Sequence, residues 1–138
     1  ALTTQLADRK LMAMIEPLPY KKNAEGGAIL DDSDEALIKV VAIASGLGSS
    51  SAYSWLKVPA TTRMSEVAAA TTLPVLMLGG EPEGNPDELF NRWIAGMKEP
   101  NVRGLVAGRS LLYPVNGDSE SAVRRAGQVV RPTSTGGN

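Results

Sequence analysis

The sequence predicts an α/β fold in which four strand-and-helix units build one parallel sheet. Short apolar runs and amphipathic segments alternate four times along the 138 residues. The apolar runs are continuous, which is typical of parallel strands covered on both faces. Repeated βα units form parallel sheets with right-handed crossovers. Two architectures fit this order, a small doubly wound sheet and half of an eight-stranded (β/α) barrel.

The first unit combines a short strand with a capped helix. Residues 10–15 form an apolar run that two prolines end. Residues 20–32 are polar, contain two adjacent glycines and are expected to form a loop. Ser33 or Asp32 can cap the next helix, whose apolar positions repeat every three to four residues as far as Ala44.

The second unit holds the most unusual residue of the chain. Residues 52–58 form a strand rich in aromatic and branched side chains, with serines before it and Pro59 after it. Lys57 lies at the carboxyl end of this strand, where an ammonium group is costly to bury without a partner or a task. A short helix over residues 61–70 is expected to begin with a threonine cap.

The third unit ends its strand on two glycines. Residues 74–78 form the strand, and Gly79-Gly80 follows it directly. The next helix is expected over residues 86–98, with Asn85 as its cap and a proline at its first position. The two aromatic residues of this helix fall at the spacing of core positions.

In the fourth unit, as in the third, a glycine directly follows the strand. Residues 102–107 form a strand that Gly108-Arg109-Ser110 follows, and a last helix is expected over residues 118–130. The whole of residues 1–131 is expected to form one domain. The turn-like composition of residues 132–138 indicates a flexible tail.

The composition excludes several classes of chemistry. Cysteine and histidine are both absent, which rules out disulfides, thiolate or histidine metal sites and Ser-His-Asp triads. Any general acid or base must therefore be Asp, Glu, Lys or Tyr. The acidic residues between 31 and 35 suit a helix start better than a metal loop, so neither a metal nor another cofactor is expected. The net charge of −1 gives no electrostatic case for nucleic acid as a partner.

The sequence shows no segment that would direct it to a membrane. Its apolar runs are too short to span a bilayer, and residues 1–10 lack the basic-then-apolar order of a signal peptide. A cytoplasmic location without a membrane partner is therefore expected. Because the first residue is alanine, we expect a processed chain or a piece of a longer one.

Several strand ends resemble those of one enzyme family. The segments are Ala52-Tyr53-Ser54-Trp55-Leu56-Lys57-Val58-Pro59, Pro74-Val75-Leu76-Met77-Leu78-Gly79-Gly80 and Val102-Arg103-Gly104-Leu105-Val106-Ala107-Gly108-Arg109-Ser110-Leu111-Leu112-Tyr113-Pro114. They resemble strands six, seven and eight of the class I, Schiff-base aldolase superfamily, which includes deoxyribose-phosphate, tagatose-bisphosphate and archaeal-type fructose-bisphosphate aldolases. Met14-Ile15-Glu16-Pro17 resembles strand five. The chain most resembles a bacterial branch linked to inositol breakdown.

The resemblance implies a (β/α)4 half of a TIM (β/α)8 barrel, with parallel strands that correspond to strands five to eight. It extends over about residues 10–131. The first four strands have no counterpart here, nor does the carboxylate that related aldolases carry on one of them, nor the second lysine that some carry on strand seven. Because half a barrel leaves strand edges open, we expect a homo-oligomer that completes the barrel or association with a missing half.

Six residues become candidates for the site on these grounds: Lys57, Glu16, Gly79, Gly80, Gly108 and Arg109. Lys57 would be the Schiff-base nucleophile, and Glu16 would orient it or transfer protons. The four others would bind a substrate phosphate, because glycines let backbone N–H groups approach an anion and barrels bind phosphate after strands seven and eight. The alternative is that Lys57 only pairs with a carboxylate and the glycines only form tight turns.

These expectations lead to one leading function and two competing ones. The leading one is a class I aldolase-type lyase, or a fragment of one, that breaks or forms a carbon–carbon bond in a phosphorylated sugar through a lysine Schiff base. The alternative is a non-catalytic module that binds sugar phosphates or assists assembly. A third possibility is a small doubly wound binding domain.

Overall fold

The computed structural model describes residues 1–81 and 84–131, and the tail expected at 132–138 lies outside these ranges. Within them the chain forms a four-stranded sheet, a two-stranded hairpin and six helices. The strands are β1 (Ala13–Ile15), β2 (Tyr20–Lys22), β3 (Ala28–Leu30), β4 (Ser54–Pro59), β5 (Val75–Leu78) and β6 (Val102–Val106). The helices are α1 (Leu2–Asp8), α2 (Asp34–Ser45), α3 (Met64–Ala69), α4 (Pro86–Gly96), α5 (Arg109–Leu112) and α6 (Ser119–Val130).

The larger sheet has the order β1-β4-β5-β6, and all its strand pairs are parallel. This confirms the four strand-and-helix units that the sequence predicts. The strands are neighbours in chain order, without the reversal that creates the switch point of a doubly wound sheet. The order therefore favours a barrel wall over the doubly wound alternative.

The helices cover only one face of this sheet. Leu56 and Val58 of β4 and Met77 of β5 point towards the helices and are fully buried. The alternate residues point away from them, and we call their side the open face; its side chains are those of Met14, Trp55, Lys57, Leu76, Leu78 and Val106. The expectation that both faces are covered is wrong for the described residues, because the apolar runs continue onto a face that no described helix packs against.

The core lies between the sheet and four of the helices. Trp93 of α4 is its largest fully buried side chain and meets Phe90 edge to face at 5.0 Å, so the prediction of both as core residues is confirmed. Each large apolar side chain buried in this way stabilises the fold by about 1.5–3 kcal/mol. The other helices contribute Leu37, Val41, Ala44, Met64, Val67, Ala68, Ala126 and Val129.

Most helix starts follow the sequence signals. The side chains of Ser33, Asn85 and Asp118 each accept a hydrogen bond from a backbone N–H in the first turn of α2, α4 and α6. This satisfies donors that the helix itself leaves unpaired. The expected threonine cap is not found, because α3 begins only at Met64. Thr61 Oγ1 instead accepts a hydrogen bond from the Arg63 N–H, in the turn before the helix.

The segment predicted as a loop at 20–32 instead contains the antiparallel hairpin of β2 and β3. Gly26 turns the chain with a φ of 82°, and the Gly27 N–H donates to the Asn23 side chain at 2.6 Å. Both strands are short and exposed, so no apolar periodicity marks them in the sequence. The hairpin follows β1 and stands at the carboxyl edge of the larger sheet.

Two short helices were also not predicted. Helix α1 has neither a side-chain cap nor a buried residue, and α5 is a single turn between β6 and α6. Neither length nor periodicity distinguishes such segments from loops. No helix in the two described ranges has the length and apolar character needed to cross a membrane.

Candidate active site

The candidate nucleophile and the candidate carboxylate meet on the open face. Lys57 Nζ donates to Glu16 Oε2 at 2.9 Å. The parallel register explains the contact, because Met14 pairs with Trp55 and two further residues along each strand bring Glu16 level with Lys57. The structure thus brings the two candidate residues together, a contact that fits both the expected role of Glu16 beside Lys57 and the alternative of a simple ion pair.

Lys57 leans across an apolar surface and keeps its charged end partly in water. Its side chain is 25% exposed and that of Glu16 is 39% exposed. Leu76 lies opposite Lys57 on β5, and Trp55 precedes it on the same face of β4. Such an arrangement buries the methylene groups, while the ammonium group at the border of the apolar surface pairs with the Glu16 carboxylate. The lysine is therefore directed towards the side of the sheet that the helices leave free.

The glycines after β5 and β6 also come together. An ideal Cβ atom on Gly79 would lie 2.2 Å from Ser110 Oγ and 3.0 Å from Ala107 Cβ, so only glycine permits this approach. Gly80 has a φ of 66°, which most other residues rarely adopt. The two loops consequently form one continuous surface, which we call the glycine rim (Gly79, Gly80, Gly108 and Arg109).

Arg109 is engaged within this rim. It begins α5, directly after Gly108, and its guanidinium group forms an ion pair with the Glu81 carboxylate. Both side chains are more than half exposed. The next residue, Ser110, is buried, and its hydroxyl has no hydrogen-bond partner among the described residues. Glu81 was not singled out from the sequence, because only the loop conformation brings it here.

The two clusters lie along the same edge of the sheet. Lys57 is level with Leu76, which is three residues before Gly79. At the rise of an extended strand, the level of Lys57 and Gly79 are about 10 Å apart along β5. Trp93 braces the end of β5 between them, because its indole N–H donates to the carbonyl oxygen of Leu78 at 3.2 Å. A carbonyl near the lysine and an anion at the rim can therefore belong to one small molecule.

The acidic residues at the start of α2 serve the local fold. Asp31 accepts the Ser33 N–H at 3.1 Å, and hydrogen bonding from the Ser33 side chain and then from its backbone N–H, with a smaller contribution from Lys21, lowers the pKa of Asp31. Glu35, at the start of α2, instead forms an ion pair with Arg63, the residue that precedes α3. In the part of the chain that the structure describes, no group of three or more side chains is arranged to hold a metal ion.

Comparison with known proteins gives a family and several similar solved structures. A family model described as Cgl0159-like matches residues 1–127. The crystal structure of Cgl0159 from Corynebacterium glutamicum is 42% identical to this chain over 93% of it, with a TM-score of 0.84. The crystal structure of an archaeal fructose 1,6-bisphosphate aldolase is 20% identical over 91% of the chain, with a TM-score of 0.67. None of the curated proteins matches.

The chain is shorter than either of these relatives. It covers 42% of the Cgl0159 chain and 47% of the aldolase chain. The second similarity concerns the fold alone: an α/β arrangement of four parallel strands and helices is shared with part of an aldolase barrel.

Proposed function

The chain belongs to the Cgl0159-like family, and on that premise we propose that it supplies the Schiff-base lysine of a class I aldolase-type lyase. The substrate class is a phosphorylated sugar or a related ketone donor. The observation that carries the proposal is the Lys57–Glu16 pair on the open face, at 2.9 Å and at the carboxyl edge of the sheet. Active sites of (β/α) barrels are built at that edge.

Lys57 first needs a free electron pair on Nζ. Glu16 accepts the ammonium proton, and Nζ then attacks the carbonyl carbon of the donor. The carbonyl oxygen takes up one proton from Nζ and the proton held by Glu16, and it leaves as water, which gives an iminium ion. The iminium withdraws electrons from the bond between the α and β carbons, which breaks as a carboxylate takes the proton of the β-hydroxyl group. An aldehyde departs, and the remaining enamine takes up a proton before water releases it from Nζ.

The glycine rim supports the substrate class. Backbone N–H groups beside glycines and the Arg109 guanidinium are donors suited to a phosphate group. The separation of about 10 Å along the strand suits a donor with its carbonyl group near Lys57 and its phosphate at the rim. This division of labour would use remote binding energy to orient the reacting carbonyl group.

The proposed site is complete only when further strands cover the open face. Met14 is 55% exposed there, and the edges of β1 and β6 have no partner strand among the described residues. We propose that further strands complete a (β/α)8 barrel over this face, from a second copy or from the other half of a barrel of this family. The carboxylate that protonates the enamine would come from those strands.

Borohydride trapping tests the proposal on the protein in the state in which it purifies. Incubation with dihydroxyacetone phosphate and reduction should add the mass of the reduced donor to one site, and Lys57→Ala should abolish the adduct. Lys39→Ala, on the surface of α2, is the matched control and should leave the adduct unchanged. Glu16→Gln should slow adduct formation by about 10²–10⁴-fold if Glu16 transfers the proton.

The same experiment separates the competing function. An adduct that persists in Lys57→Ala would show that the lysine is not the nucleophile. The absence of an adduct with every ketone donor, together with measurable phosphate binding, would instead support a sugar-phosphate-binding or assembly module.

A further inference from the structure

Arg109, the cation of the glycine rim, already forms an ion pair with Glu81. Glu81 follows Gly79-Gly80, and its carboxylate pairs with the Arg109 guanidinium. A phosphate that binds Arg109 must therefore displace this carboxylate or share the guanidinium with it. Both side chains are exposed, at 63% for Arg109 and 52% for Glu81, so the exchange breaks no buried contact.

A second position for the Glu81 carboxylate lies beside the rim. Glu81 lines a water-accessible cavity of about 60 Å³ between α4, α5 and α6. Ser110 lines the same cavity, but its buried hydroxyl lies against Gly79, has no partner among the described residues and must turn about its side-chain bond to reach the cavity. A buried hydroxyl without a partner is unfavourable, and the space suffices for roughly four waters or for a carboxylate. Asn116 and Arg125 add donors to the cavity wall.

We propose that Glu81 is a two-position gate for the phosphate site, paired with Arg109 when the site is empty and bonded to Ser110 in the cavity when phosphate is bound. The inference rests on the proposed function, because it assumes that Arg109 binds the phosphate. The closed position neutralises Arg109 between substrates and helps to release a phosphorylated product. The open position satisfies the Ser110 hydroxyl.

The size of the effect follows from the kind of ion pair. Exposed pairs of this type are weak, so the closed state is favoured by a factor of about two to five. The apparent affinity for phosphate equals the intrinsic affinity multiplied by the fraction of molecules that are open. Removing the Glu81 charge should therefore tighten phosphate binding about three- to sixfold, because only about one third to one sixth of the molecules are open in the parent. Removing the Ser110 hydroxyl should weaken binding about twofold, but only while Glu81 is present.

Titration with inorganic phosphate, followed by amide NMR shifts of the rim, tests the gate through a double-mutant cycle. The variants are Glu81→Gln, Ser110→Ala and the two combined. Tighter binding in Glu81→Gln, weaker binding in Ser110→Ala and no effect of Ser110→Ala in the Gln background are the expected results. Glu120→Gln, which removes a surface ion pair with Arg124 on α6, is the matched control and should bind phosphate as the parent does.

Two contrary results have different meanings. Unchanged or weaker binding in Glu81→Gln, or equal effects of Ser110→Ala in both backgrounds, would overturn the gate. Arg109→Gln distinguishes this from a failure of the site itself. If Arg109→Gln binds phosphate as tightly as the parent, the phosphate site of the proposed function is wrong, and the gate falls with it.

Discussion

At the scale of single residues, Gly79 is a position with no free space for a side chain. The space for a Cβ atom there is taken by Ser110 Oγ at 2.2 Å and Ala107 Cβ at 3.0 Å. Rotation of the serine can relieve the first contact but not the second. We expect Gly79→Ala to push the two loops apart and to lower the free energy of unfolding by about 1–3 kcal/mol. Chemical denaturation measures this directly, and phosphate binding should weaken with it.

Gly108→Ala is the matched control for that change. It lies in the same rim, but nothing outside its chain neighbours lies within 4 Å of its Cβ position. Its free energy of unfolding should change by less than about 0.5 kcal/mol. Equal losses in the two variants would mean that the contact between the loops is not what makes glycine necessary at position 79.

The residues that the sequence predicted for the site differ in how predictable their contacts were. Glu16 follows β1 and Lys57 lies near the end of β4 in one parallel sheet, and the register of these strands brings the two residues level. The pair of Arg109 with Glu81 depends on loop backbone angles, including the positive φ of Gly80. Strand ends can therefore be predicted from apolar runs, whereas contacts between loops cannot.

At the scale of elements, one arginine joins the start of α2 to the start of α3. Arg63 donates to both carboxylate oxygens of Glu66, at 2.7 and 2.6 Å, and also pairs with Glu35. These bonds lower the pKa of Glu35 and of Glu66 and raise that of Arg63. The two carboxylates therefore favour the folded state while they are ionised.

The direction of these shifts sets an acid-sensitive contribution to stability. The contribution is fully present above the ordinary glutamate pKa of 4.5 and is lost as pH falls through the lowered values. We expect Arg63→Gln to unfold at a lower temperature than the parent at pH 7, and the gap to narrow steadily below about pH 4.5. Thermal midpoints between pH 7 and pH 3 provide the measurement.

Arg124→Gln is the comparison for this prediction. Its ion pair with Glu120 lies within the single helix α6 and joins no second element. Its difference from the parent should remain small at every pH, because isolated helix pairs contribute little. A gap for Arg63→Gln that widened on acidification would contradict the proposed sign.

The elements themselves divide by the source of their stability. Strands β4 to β6 and helices α2, α4 and α6 carry apolar periodicity or caps, and their order could be predicted from the sequence. The β2–β3 hairpin and α5 depend on local turns with few buried side chains. A turn such as that at Asn23 to Gly27 fits a loop as well as a hairpin, so the sequence alone could not distinguish them.

At the scale of the whole molecule, the open face makes association the expected state. It combines exposed apolar side chains with two strand edges that have no partner within residues 1–81 and 84–131, and such edges favour pairing with further strands. We expect the purified protein to show a concentration-dependent mass above that of one chain in light scattering.

Met14→Lys should shift the protein towards the monomer, because a charge on this face is costly to bury. Ile43→Lys is the matched control, since Ile43 is 59% exposed on α2 where Met14 is 55% exposed on the open face. A monodisperse monomer at high concentration, or equal effects of the two lysines, would refute association through the open face and with it a site completed by further strands.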